Sequence, residues 1–240
     1  MTALHLACLP LLLPDVHRWA ARRGLGGDEG RALHHLLAET FGKGVAQPFR
    51  LMVGTGGSVA NVYAYTPHDA TALRATARET GLPDALAVCD PTRLDTKEMP
   101  SHWREGRRLA FDLKARPVRR LVKPAGAFSK GAEIDAYVLE VLRRFPDGPP
   151  QDAPPLRREE VYRDWLAHRL AGAARLEEVR LAAFHRQPAW RGAQRVDGPE
   201  VTFHGHLVVE KEASFARLLA TGVGRHAAYG YGMLLLRPAR

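Results

Sequence analysis

The spacing of apolar residues along the chain switches repeatedly between a period of two and a helical period. Residues 3–9 alternate, with Leu4, Leu6 and Cys8 on one side and His5 and Ala7 on the other, which predicts a strand. DVHRWAARR at 15–23 predicts a short helix stopped by the glycines of GLGG. Asp28 can cap a second helix, in which Leu33, Leu36, Leu37 and Phe41 recur at helical spacing. PFRLMVG and VANVYAY read as two strands around the turn TGGS. DATALRATARETG at 69–81 predicts a helix with a glycine stop, and LAVCD begins another strand. The order is β-α-β-β-α-β, with an extra helical turn before the main helix.

The same order returns in the second half. RRLAFDLKA at 107–115 alternates Leu109, Phe111 and Leu113. A helix around 156–172 carries Leu156, Val161, Trp165, Leu166 and Leu170. LEEVRLAAFH and EVTFHGHLVVE are the middle strands, the second with Val201, Phe203, Gly205, Leu207 and Val209 on one face. EASFARLLATG is a helix with Phe215, Leu218 and Leu219 inward, and YGMLLLRP is the last strand. The pattern predicts an α+β protein of two tandem ferredoxin-like (RRM-like, βαββαβ) domains, at 1–102 and 103–240. An insertion at 121–155 interrupts the second. It holds EIDAYVLEVLRRF, read as helix, and PDGPPQDAPP, read as an extended linker or exposed loop.

Charge adds a partner class to this picture. Lys and Arg number 35 against 26 acidic residues, a net charge of +9. Such a balance suggests an anionic partner, nucleic acid first. The two cysteines, Cys8 and Cys89, form no C-x-x-C pair, which argues against a zinc ribbon or a disulfide framework and fits a reducing cytoplasm. The start, MTALHLACLPLLLPD, lacks Lys and Arg and is punctuated by Pro10 and Pro14, so it reads as a core strand rather than a signal peptide. No run of 18 apolar residues predicts a membrane helix. No H-E-x-x-H motif or carboxylate cluster suggests a catalytic metal, and no cofactor is expected.

The densest local signal is GVGRHAAYGYG at 222–232. Gly222, Gly224 and Ala227 formally fit a dinucleotide fingerprint, but that fingerprint needs a strand before it and a helix after it. Here a helix precedes and a strand follows, so the fingerprint is excluded. Two readings stay open. Successive amides can form a nest for a phosphate, with Arg225 and His226 as donors and Tyr229 and Tyr231 as stacking faces. The glycines can equally serve a helix C-cap and close backbone packing.

GVGRHAAYGYGMLLL, preceded by VTFHGHLVVEKEASFARLLAT, resembles the C-terminus of CasE proteins, the CRISPR repeat-RNA endoribonucleases of type I-E systems. FDLKARPVRR at 111–120, WLAHRLAGAARLEEV at 165–179 and ALHHLLAETF at 32–41 resemble further motifs of that family, in the same order. The family is built from two ferredoxin-like domains, as the strand–helix pattern independently suggests. The chain departs from it at three places. Ala227 stands where the family loop commonly has lysine, Arg116 where it has asparagine before proline, and Arg31 where a tyrosine is common.

RNA carries its own nucleophile, the 2′-OH beside the scissile phosphate. Cleavage needs that hydroxyl deprotonated, the 5′ oxygen protonated and the intervening charge stabilised. His34 is the candidate for proton transfer, and the resemblance implies the same position. It lies at the border of the apolar helix face, with Arg31 alongside to contact the scissile phosphate and favour a neutral histidine. His35 is read as a surface residue able to pair with Glu39. His204 and His206 share one strand face without an evident third ligand. RNA-binding candidates are Lys114, Arg116, Arg119, Arg120, Arg175, Gly222, Gly224, Arg225, His226 and Tyr229, with Lys123, Arg180, Arg191 and Arg195 as further cations able to track a hairpin's phosphates. Gly230 and Gly232 are read as packing positions.

The resemblance implies metal-independent cleavage of CRISPR precursor RNA at a repeat stem-loop. It also implies product retention within a Cascade-type complex; the free protein is expected to be a monomer. The alternative is an RNA-hairpin-binding module without turnover, which Arg31 keeps open. A metabolic enzyme holding a nucleotide phosphate is disfavoured for want of a complete nucleotide motif.

Overall fold

The computed structural model describes residues 3–150, 152, 154–191 and 194–239. The first half contains β1 (His5–Leu12), α1 (Leu13–Arg22), α2 (Glu29–Phe41), β2 (Phe49–Val53), β3 (Val59–Thr66), α3 (Ala70–Thr80), α4 (Pro83–Leu86) and β4 (Asp95–Glu98). The second contains β5 (Arg108–Ala115), β6 (Val118–Arg120), β7 (Glu133–Asp135), α5 (Ala136–Arg144), α6 (Arg158–Leu170), β8 (Ala174–Arg191), β9 (Gln194–Val209), α7 (Glu212–Thr221) and β10 (Leu234–Pro238). Two antiparallel four-stranded sheets result, ordered β2-β3-β1-β4 and β10-β5-β9-β8. In each, the unit's first strand lies between its third and its last. The fold is two tandem ferredoxin-like domains.

Two local expectations change. LAVCD is not a strand: Pro83 starts the short α4, and Cys89 is fully buried in the first core. Burial pushes its thiol up to about 12, leaving it an inert core side chain. The fourth strand is instead the polar DTKE of β4, an edge strand paired only with β1. Edge strands tolerate such charge because one side is free of the ladder. EIDAYVLEVLRRF is helical only from Ala136. The Asp135 carboxylate caps α5 by accepting from the Tyr137 N–H at 2.8 Å, and Glu133–Asp135 form β7. Residues 146–150 carry neither helix nor strand, in keeping with their prolines.

The core is divided by sheet face. Ala7, Leu9 and Leu11 of β1 join Trp19, Leu33, Leu36 and Phe41 in the first core. Leu4 and Leu6, on the opposite face, pack with Tyr63 and Tyr65 against the second domain's core around Phe111, Trp165, Leu166 and Phe215. The first sheet is therefore covered on both faces, and β1 reads as apolar on both. Tyr65 donates its hydroxyl to the Leu234 carbonyl at 2.8 Å, and Arg50 of β2 meets Asp112 of β5 at 3.2 Å. These contacts hold the domains together. The insertion has its own small core, Leu121, Ile134 and Leu139, beneath the paired β6 and β7. Trp165 of α6 fastens it by donating to the Val118 carbonyl at 3.2 Å. The β8–β9 pairing continues beyond the end of β5 as far as Arg191↔Gln194, a two-stranded arm. The side chains of 188–196, Arg191 and Arg195 among them, lie outside the described residues. Among the described residues, no helix is long and apolar enough to cross a membrane.

Candidate functional site

The glycine-rich loop between α7 and β10 rests on α2. Close approach requires a glycine on the helix: a Cβ at Gly30 would stand 2.5 Å from the Tyr229 carbonyl oxygen. One turn further along, His34 meets the loop. Its ring lies 5.0 Å from the Tyr229 ring and 5.4 Å from that of His35. Gln47 Nε2 stands 3.5 Å from His34 Nδ1. Burial lowers the His34 pKa, and His35 and Lys43 lower it further, against a backbone contact from Ala228 that raises it. His34 is thus a half-buried, predominantly neutral imidazole at neutral pH. The helix itself is well founded. The Asp28 carboxylate accepts from the Arg31 N–H at 2.9 Å, and Ala32, Leu33, Leu36, Leu37 and Phe41 are buried.

Arg31 shares this helix, and its guanidinium makes no hydrogen bond or ion pair among the described residues. It is not among the groups that set the His34 pKa; burial dominates instead. His35 does not pair with Glu39, which is taken by Arg23 at 2.6 Å.

The loop's path is dictated by contacts within the protein. Gly224 has a positive φ of 84°, and a Cβ there would stand 3.1 Å from the Trp165 ring. Space at Gly222 is likewise filled by Pro48 and the Gly232 carbonyl. The Gly222 amide donates to Leu218 and the Val223 amide to Gly232, so this stretch of backbone is already bonded. His226 is the one non-glycine residue with positive φ among the described residues, at 68°. It precedes a single 3₁₀ turn, Ala227–Tyr229, closed by Tyr229 N–H donating to the His226 carbonyl at 2.9 Å. Glu133 of β7 receives both side chains before that turn: Arg225 Nε, and His226 Nε2 at 2.9 Å. Burial alone would raise the Glu133 pKa, but His226 and Arg225 outweigh it and hold it near about 2.

Around the insertion the cations converge. Arg119, Arg120, Lys123, Arg143, Arg169 and Arg225 line a cavity of about 640 Å³. Burial lowers the Arg169 pKa, and the nearby Arg119 and Arg225 lower it further. This crowding of like charge favours an anion.

Other predicted residues lie elsewhere. Arg116 is only 5% exposed, stacked over Tyr231 and reaching the Gln187 carbonyl. Lys114 pairs with Glu200 at 2.9 Å, and Glu200 also accepts from the Tyr231 hydroxyl at 2.7 Å. Both basic residues are held by the protein itself. Arg175 is exposed near Glu177, level with Arg108 in the sheet register. The loop instead meets Lys114, through Gly232 N–H, at the opposite end of β5, roughly 20 Å away at ~3.3 Å per residue. His204 lies between Asp112 at 2.8 Å and Arg180 at 3.2 Å, and His206 beside Glu178 at 3.3 Å. Sequence reasoning missed Gln47, Glu133 and Arg169.

A sequence model of the family described as CRISPR associated protein matches residues 9–238. The chain belongs to that family. The fold of this CRISPR-associated protein is similar to that of Thermus thermophilus Cse3 bound to an RNA representing a pre-cleavage complex. That match has 20% identity and a TM-score of 0.67, and covers 98% of this chain and 100% of that one. It is also similar to Cas6e from Escherichia coli str. K-12, at 18% identity and TM-score 0.59, over 98% and 100% of the two chains. A chain of a CRISPR RNA-guided surveillance complex matches at 17% identity and TM-score 0.56, over 97% and 100%. The resemblance read from the sequence motifs is borne out by these matches. Comparison with curated proteins gives no match.

Proposed function

We propose that this CRISPR-associated protein is an endoribonuclease that cleaves CRISPR precursor RNA at repeat hairpins. Its product is a mature guide RNA that it keeps as a subunit of a Cascade-type complex. The observation that carries this reading is His34, a neutral imidazole of α2 covered by the glycine loop, together with a basin of crowded cations that the same loop enters through Arg225. Neutral His34 takes the proton of the 2′-OH. The 2′ oxygen forms a bond to the adjacent phosphorus, and the bond from phosphorus to the 5′ oxygen breaks as the 5′ oxygen takes a proton from solvent water, His34 returning its proton to solvent afterwards. The products are a 2′,3′-cyclic phosphate and a 5′-hydroxyl, and no step calls on a metal. Proton transfer by a positioned histidine contributes about 10²–10⁴-fold.

In this reading Arg31, on the same helix, contacts the scissile phosphate, and Tyr229 offers a ring on which a base beside the cut can stack. Arg119, Arg120, Lys123, Arg143, Arg169 and Arg225 receive the sugar–phosphate backbone. Whole-protein partners follow from the same reading: the Cse3 structure holds RNA, and a similar chain sits in a surveillance complex.

The test is incubation with labelled repeat RNA in EDTA, wild type beside His34→Ala. Cleavage in the wild type, with cleavage lost and binding kept in the variant, supports the proposal. Wild-type binding without cleavage supports instead a hairpin-binding module, the reading that Arg31 in place of a tyrosine keeps open. No hairpin affinity at moderate salt overturns both.

A further inference from the structure

Glu133 belongs to the insertion, yet its side chain reaches the loop that touches His34. It sits on β7, which pairs with β6 residue by residue, and β6 is tied to α6 through Trp165. The carboxylate is 9% exposed and therefore held in place. It binds Arg225 and His226, consecutive residues at the mouth of the 3₁₀ turn. His226 adopts a left-handed conformation that a side chain disfavours and that needs support from outside the loop. The turn that begins there delivers the Ala228 backbone and the Tyr229 ring to His34.

We infer that Glu133 is a positioning residue for the cleavage site, and that the inserted β7–α5 segment, paired to β6, is part of the active-site scaffold rather than a peripheral ornament. The inference rests on the endoribonuclease reading. The described contacts of Glu133 run to Arg225 and His226, and in that reading it acts on His34 through the turn they begin. It also neutralises one cation of the basin, since Arg225 both pairs with it and lines the cavity. The two effects separate a positioning role from a merely structural one. Without the carboxylate, the turn loses its hold and cleavage slows, while the freed Arg225 adds a cation to the surface that meets RNA.

The experiment compares wild type, Glu133→Gln and Glu133→Asp. Single-turnover cleavage and the salt dependence of binding are measured on the same labelled repeat RNA, with thermal melting as the check on folding. Glu133→Gln is expected to cleave about 10- to 100-fold more slowly, the scale on which a misplacement of about 1 Å acts. It should bind RNA at least as tightly, with a salt slope steeper by up to about one unit for one added phosphate contact. Glu133→Asp, which keeps the charge on a shorter arm, should fall between, and carries the same comparison if the glutamine variant does not fold. A glutamine variant that cleaves at the wild-type rate overturns the inference and leaves the function intact. Loss of binding together with cleavage in both variants also overturns it, because Glu133 then supports the fold at large. A wild type that does not cleave overturns the functional reading, and this inference with it.

Discussion

His34 is the residue at which chemistry and burial meet. Its position was legible in the sequence, because a histidine one place after Leu33 falls at the border of an apolar helical face. What tunes it was not. Burial first, then His35 and Lys43, lowers its pKa from the ordinary 6.5. A histidine whose folded pKa lies below its unfolded value stabilises the fold above pH 6.5, and that stability is lost as pH falls through the folded pKa. The same shift sets the reaction's acid limb. The single-turnover rate should hold steady down through pH 6.5 and fall only below it, and a rate profile with its midpoint at or above 6.5 would contradict the burial seen here. Tyr229 and Gln47 could not be attached to His34 beforehand. They come from segments 195 and 13 residues away, and no local pattern links them.

At the scale of elements, the contact that matters is α2 against the glycine loop. Gly30→Ala should raise the intrinsic helix propensity of α2 by up to about 1 kcal/mol. Yet the new Cβ would collide with the Tyr229 carbonyl, which would be 2.5 Å away. The expected outcome is a protein whose melting temperature changes little but whose cleavage drops by about tenfold or more, because the loop must lift off the helix. Strongly periodic elements such as α2, β9 and α7 were readable from spacing alone. LAVCD was not: a short apolar run suits a strand and a buried turn equally, and Pro83 decided for the turn. β4 escaped because an edge strand can be polar throughout.

For the whole molecule, the decisive contact is the one between domains. Arg50 is 8% exposed and pairs with Asp112 across the interface. Burial lowers the Arg50 pKa, and Asp112 and Glu200 oppose that. Breaking such a pair from one side leaves a buried charge, so Asp112→Ala should cost about 3–5 kcal/mol in denaturant unfolding. Replacing both partners with apolar residues, as in Arg50→Met with Asp112→Leu, should restore most of that stability. Similar losses in the single and double variants would mean that the pair contributes more than mutual neutralisation.

The sequence by itself determined the two ferredoxin-like domains, because alternating and helical periodicities are local properties of the chain. It also determined that His34 stands at the border of the apolar face of the first long helix and where the glycine loop falls between helix and strand. Only the tertiary structure decided the rest. Arg116 and Lys114, cationic in sequence, are held by Tyr231 and Glu200. Arg175 lies at the far end of its sheet, and the glycines of the loop meet Trp165 and Pro48. Glu133, from the insertion, holds the turn beside His34. Charge and burial depend on neighbours brought together by folding over long stretches of chain, and residue type and spacing do not encode who those neighbours are.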